Sequence, residues 1–126
     1  MSEAALRSAA RREREDAAPR LRDEVPTLET LHLELEERRG DSLLASGAHV
    51  RRVVVEHAPA LFAIPCGERS CQDGGHDLTR WILSVLRKGE TRFVGDDTCT
   101  GYSRDGGRCG IALHYVVVAS YKPLQA

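Results

Sequence analysis

The sequence predicts an α+β domain: a small antiparallel sheet of about four strands in ββαββ order, with one helix packed on it, zinc-stapled loops and a flexible N-terminal tail. Three observations carry that reading. Apolar and polar residues alternate over residues 31–36, one later stretch has helical periodicity, and four cysteines fall in the connections between elements. The 126 residues amount to one domain by length. With 41 % hydrophobic and 29 % charged residues, the composition is that of a globular chain rather than a fibre or a fully disordered one.

Residues 1–26 carry six basic and six acidic side chains, with Leu6, Leu21 and Val25 as the larger apolar groups and prolines at 19 and 26. That is too little apolar surface for a core, so the segment reads as a flexible or loosely helical charged tail. The pairs Glu3–Arg7 and Arg11–Glu15 stand at i,i+4, which supports a solvated helix by a few tenths of a kcal/mol each. Residues 27–126 then form the zinc-binding α+β domain.

From Thr27 the period becomes two. Leu31, Leu33 and Leu35 alternate with His32, Glu34 and Glu36, as in a strand with one wet face. Gly40-Asp41 and Ser46-Gly47 punctuate the connection to a β-branched strand over residues 49–57, which pairs antiparallel with the first. Pro59 ends or bends it, and Leu61–Ile64 lead into Pro65-Cys66. After the Gly74-Gly75 turn, Leu78, Trp81, Ile82, Val85 and Leu86 fall on one helical face. His76 or Asp77 is the expected N-cap and Gly89 the C′ residue, with Arg87 and Lys88 opposing the negative end of the dipole. A short strand follows around Phe93. Residues 111–121 are apolar on both faces and read as a central strand ended by Pro123.

No signal-peptide stretch opens the chain, and no run reaches the ~18 to 20 apolar residues that span a bilayer, so a cytoplasmic location without membrane contact is expected. Reduced thiols there favour metal ligation over disulfides. Cys66 and Cys71 have four residues between them, the outer limit of a zinc half-site, and Cys99 and Cys109 flank a turn-rich TGYSRDGGR segment that brings both sulfurs to the base of a hairpin. One structural zinc on Cys66, Cys71, Cys99 and Cys109 ties the two halves together. His76, five residues after Cys71, is the reserve ligand, with helix capping as its more ordinary role. A zinc tetrathiolate carries a formal charge of −2, which Arg69, Arg104 and Arg108 are close enough in sequence to offset. Such sites contribute about 10 to 16 kcal/mol of apparent binding free energy, more than a domain's net stability.

Four cysteines fill every zinc position, whereas a catalytic zinc keeps one open for water. His57-Ala58-Pro59 with Pro65-Cys66 and Cys71 superficially resembles a zinc deaminase signature. Proline stands where its proton-shuttling glutamate belongs, and the separation is too short. His32, His49, His57 and His114 are scattered over strands. Gly74-Gly75 and Gly106-Gly107 are turn glycines, not phosphate loops. The chain is therefore expected to be a zinc-stabilised adaptor or structural module, not an enzyme, that binds another protein or itself through its sheet face or metal-loop surface. The alternative is nucleic-acid binding by the zinc loop through Arg69, Tyr102, Arg104 and Arg108. Against it stand a net charge of −1 and seven basic against seven acidic residues over 66–109. A metalloenzyme is third in order, and it would gain from a mobile water on the metal or from a deep pocket lined by His114 and Tyr115.

Overall fold

A computed structural model describes residues 2–39, 45–67, 71, 74–102 and 106–123 of the chain. The alternating leucines do what their period dictates: Leu31, Leu33 and Leu35 are buried along one face of β1, Leu28–Arg39. β2, Ala45–Val53, pairs antiparallel with β1, matching Leu33 to Arg51 and Leu35 to His49. β6, Ile111–Tyr121, lies on the other side of β1, and β5, Arg92–Thr98, pairs antiparallel with β6. The sheet order is β2-β1-β6-β5, so β6 is central, in keeping with its apolar sequence.

α3, Thr79–Arg87, is the expected helix, and its buried residues are Ile82, Leu83, Val85 and Leu86. At its end the Gly89 amide donates to the Leu86 carbonyl and the Glu90 amide to the Val85 carbonyl, with Gly89 at φ +74°. This is a Schellman closure, the reason glycine stands there. Leu78 occupies the N-cap position, where Asp77 Oδ1 accepts from the Thr79 amide at 3.1 Å. His76 takes no part in that cap. Trp81 departs from the expected apolar face: it is 57 % exposed, with the Arg80 guanidinium 5.7 Å from its ring centroid.

The full element order is longer than ββαββ. Two helices precede the sheet, α1 over Glu3–Ala17 and α2 over Leu21–Glu24, and a two-residue antiparallel pair, β3 (Ala63–Ile64) with β4 (His76–Asp77), stands between β2 and α3. α1 starts on the Ser2 hydroxyl, which accepts from the Ala5 amide at 3.1 Å, and it carries the expected Arg11–Glu15 pair at 3.9 Å. The side chain of Glu3 lies outside the described residues.

The stretch after α1 is part of the core. Leu21 and Val25 are buried with Phe62, Ile82 and Leu86, the Leu21 amide donates to the Ala58 carbonyl at 3.0 Å, and the Ala60 amide donates to the Pro19 carbonyl at 2.7 Å. β2 also begins and ends earlier than its β-branched residues suggested. Gly47 pairs with Glu37, and residues 54–58 turn, with the Ala58 amide on the Val54 carbonyl at 2.9 Å. Gly40 and Asp41 lie outside the described residues.

Candidate metal centre

Two connections at one end of the sheet meet to form the centre. β5 ends at Thr98 and β6 begins at Ile111, so Cys99 and Cys109 stand at the mouth of the hairpin between them. The Cys99 amide donates to the Ile111 carbonyl at 2.8 Å and the Cys109 amide to the Gly101 carbonyl at 2.9 Å, extending the ladder past the strands. Tyr102 and Arg108 form one further bridge. From the other side, Cys66 follows β3, and Cys71 lies in the connection that returns to β4.

The four sulfurs lie within 4.8 Å of one another, a grouping that can hold a metal ion. Cys66 and Cys109 are 3.6 Å apart, as are Cys71 and Cys99. A tetrahedral zinc with bonds of about 2.3 Å has sulfur–sulfur edges near 3.8 Å, so these spacings suit it. None of the four cysteines is in a disulfide. Cys71 and Cys99 are buried, whereas Cys66 and Cys109 reach the surface in part. With Ile111 they form a small cluster separate from the main core.

Backbone donors already point at the sulfur of Cys99. The Gly75 amide is 3.3 Å and the Gly101 amide 3.5 Å from Sγ. Burial alone would raise the Cys99 pKa, but these amides, joined by Cys71 and Cys109, outweigh it and bring the thiol below its ordinary value. Cys66 is pushed up to about 12 by burial and by Cys109, and Cys71 is raised further, again by burial and then by Cys99. Gly74 is the closest packed wall: a Cβ there would overlap Cys71 Sγ and stand 2.5 Å from Cys99 Sγ.

His76 is not among the grouped ligands. Its side chain is fully buried, Nδ1 is 2.7 Å from Asp97 Oδ2, and Nε2 has no partner among the described residues. Of the arginines expected to offset the centre, Arg69 and Arg104 lie outside the described residues, and Arg108 is exposed on the hairpin. The arginine that reaches the metal loop is one sequence reasoning missed: Arg7 of α1 donates from Nη1 to the Cys71 carbonyl at 3.4 Å. The two are 64 residues apart, and no local pattern links them.

The other histidines do not converge. His114 faces out, bonded to Asp96 at 2.9 Å, and His32 stands 3.6 Å from Glu34. Tyr115, next to His114 on β6, belongs to the main core, so adjacent strand positions put the two on opposite faces of the sheet. Arg7, Arg11 and Arg14 of α1 line a cleft of about 750 Å³ against Ile64–Gly67 and Gly74–Asp77, with Arg14 on Asp77 at 3.3 Å. Among the described residues no helix is long and apolar enough to cross a membrane. In comparisons with protein-family models, curated proteins and solved structures, nothing matches this chain.

Proposed function

We propose that this chain is a small intracellular protein-interaction module whose metal loops are held by one structural zinc ion on Cys66, Cys71, Cys99 and Cys109. The observation that supports the reading is the convergence of four cysteine sulfurs from two separate connections within 4.8 Å. Four thiolates complete the zinc shell and leave no position for a water or substrate, which argues for a structural rather than a catalytic ion. The surfaces left for partners are the outer face of the sheet and the metal loops.

Metal analysis of the purified protein tests the centre, repeated on Cys66→Ser and Cys99→Ser and joined to a thermal melt in chelator. One equivalent of zinc, lost in both variants together with a lower melting temperature, is the expected result. Full metal retention in either variant, or an unchanged melt without metal, refutes a single shared structural site. Iron in place of zinc would keep the geometry and change the ion.

A second reading has one observation in its favour. Tyr102 is 54 % exposed, and its backbone bridges antiparallel to that of Arg108, so an exposed ring and a basic residue stand opposite one another on the hairpin, a combination that suits a nucleic-acid strand. Absent or salt-insensitive retention on RNA and heparin removes it.

A further inference from the structure

The register of the four strands sorts the outer face of the sheet into rows. Residues directly opposite one another share a face, so Arg52, His32, Val118 and Arg92 make one row across β2, β1, β6 and β5. Two residues further along, Val50, Glu34, Val116 and Val94 make the next. Ala48, Glu36, His114 and Asp96 make the third. The first row is basic, the second mostly valine, and the third carries the carboxylates of Glu36 and Asp96, which within one copy are met by Arg38 at 2.7 Å and His114 at 2.9 Å. The core elements α2, α3 and Phe62 pack on the opposite face with Leu31, Leu33 and Leu35. On this outer face Val50 and Val94 are 57 % and 47 % exposed, while Val116 on the central strand between them is 9 % exposed.

We propose that this face docks a second copy of the chain about a two-fold axis running across the strands over the valine row. The inference rests on the interaction-module reading and names its partner. A two-fold axis in that direction keeps each strand over its own counterpart and reverses its direction. The basic row of one copy then faces the acidic row of the other. Arg92 meets the second copy's Asp96, His32 meets the second copy's Glu36, and the valines meet valines. Ala48 is small enough to let the second copy's Arg52 reach Glu36 beside it. Rotating instead about an axis along the strands sets Arg52 and Arg92 against each other, so the charges choose between the two face-to-face arrangements. Aligned sheets pack this way about 10 Å apart, and a self-complementary patch is what an isologous dimer requires.

Four strands at about 4.8 Å and seven residues at about 3.4 Å give a patch roughly 19 by 24 Å. Doubled over two partners that is on the order of 900 Å² before surface relief is counted, at the low end of specific interfaces. The dimer is accordingly weak and concentration-dependent. One residue opposes it: Glu34 lies within the valine row and faces its own counterpart. Replacing Glu34 by Gln removes that repulsion.

Sedimentation equilibrium of the full metal-loaded chain from about 5 to 500 μM, a range that brackets a weak dimer, tests the proposal. The expected result is a monomer–dimer equilibrium that Arg92→Asp and Asp96→Arg each weaken about tenfold and that the double swap restores, while Glu34→Gln tightens it about fivefold. Circular dichroism melts check that each exposed substitution leaves the fold intact. A chain that stays monomeric throughout the range overturns the proposal. So does a dimer indifferent to the swap and to Glu34→Gln, because such a dimer uses another surface. Metal content read on the same samples separates this failure from failure of the zinc centre.

Discussion

Gly74→Ala probes the metal centre without removing a ligand. The added Cβ would overlap Cys71 Sγ and sit 2.5 Å from Cys99 Sγ, with the Gly101 Cα at 3.3 Å behind them. A carbon–sulfur contact relaxes to roughly 3.7 Å, so the nearer sulfurs must give way by more than an ångström. Metal–sulfur distances tolerate only about 0.2 Å. Neither the Gly101 backbone nor the Cys99 sulfur, held by two amides, can retreat freely. Overpacking of this kind costs about 1 to 3 kcal/mol, and because the clash is with the assembled ligands it falls on the metal-bound state, lowering affinity about five- to 150-fold. Competition between the protein and a chromogenic zinc chelator measures this directly. Gly89→Ala is the control: its φ of +74° makes alanine strained, but a Cβ there meets nothing within 4 Å. It should lower the melting temperature and leave zinc affinity unchanged. Wild-type affinity in Gly74→Ala would refute the packing of Cys71 and Cys99 around this glycine.

Leu21→Ala should destabilise the fold by about 2 to 5 kcal/mol in denaturant melts, while Leu6→Ala, on the exposed α1, should shift stability by about 0.5 kcal/mol or less. Deleting residues 1–26 without loss of stability would contradict the place of Leu21 and Val25 in the core. Asp97→Ala leaves the buried Nδ1 of His76 without its acceptor, for a loss of about 1 to 3 kcal/mol with zinc stoichiometry unchanged. A drop in bound zinc there would return His76 to the ligand set. In chelator, the melting temperature should fall as the pH is raised. Cys66 has a folded pKa near 12 against an ordinary 9.0, so the stability held by its protonated form is complete below pH 9 and is lost as the pH climbs toward 12. Cys71 acts in the same direction, and the lowered Cys99 offsets part of it. The zinc-loaded protein, its thiolates held by the ion, should lack this fall.

What could be read from the sequence follows from how local each signal is. β1, β6 and α3 carry their own periodicity, and Gly89 marks a helix end through backbone geometry that needs no distant contact. The pairing of Cys99 with Cys109 was legible because the strands on either side are themselves readable. Trp81 went astray on the width of the helical stripe. At about 100° per residue, the buried stripe from Val85 to Leu83 is centred about 120° from Trp81, so the ring stands on the far side despite its bulk. Leu21 and Val25 form a single apolar turn amid charges, too short for any period, and their partners come from more than thirty positions on: the Ala58 carbonyl for the Leu21 amide, and Phe62, Ile82 and Leu86 in the core. Arg7 on the Cys71 carbonyl is still more remote in sequence.

The two halves of the metal centre are not equally prepared. Cys99 and Cys109 extend a seven-residue strand pairing, with their amides bonded to Ile111 and Gly101, so the hairpin can position its two sulfurs with or without an ion. Cys66 and Cys71 hang on a pair of two-residue strands, on the Arg7 contact and on the Gly67 amide donating to Glu37 at 3.0 Å. Their sulfurs also belong to a cluster set apart from the main core, which is already closed by the sheet, α2, α3 and Phe62. A metal ion bound here would therefore act mostly on Cys66 and Cys71, drawing them onto two sulfurs that the hairpin already positions. The placement of these two cysteines, and of α1 through the Arg7 contact with the Cys71 carbonyl, would follow metal occupancy. The outer sheet face, formed by the ladder alone, would not.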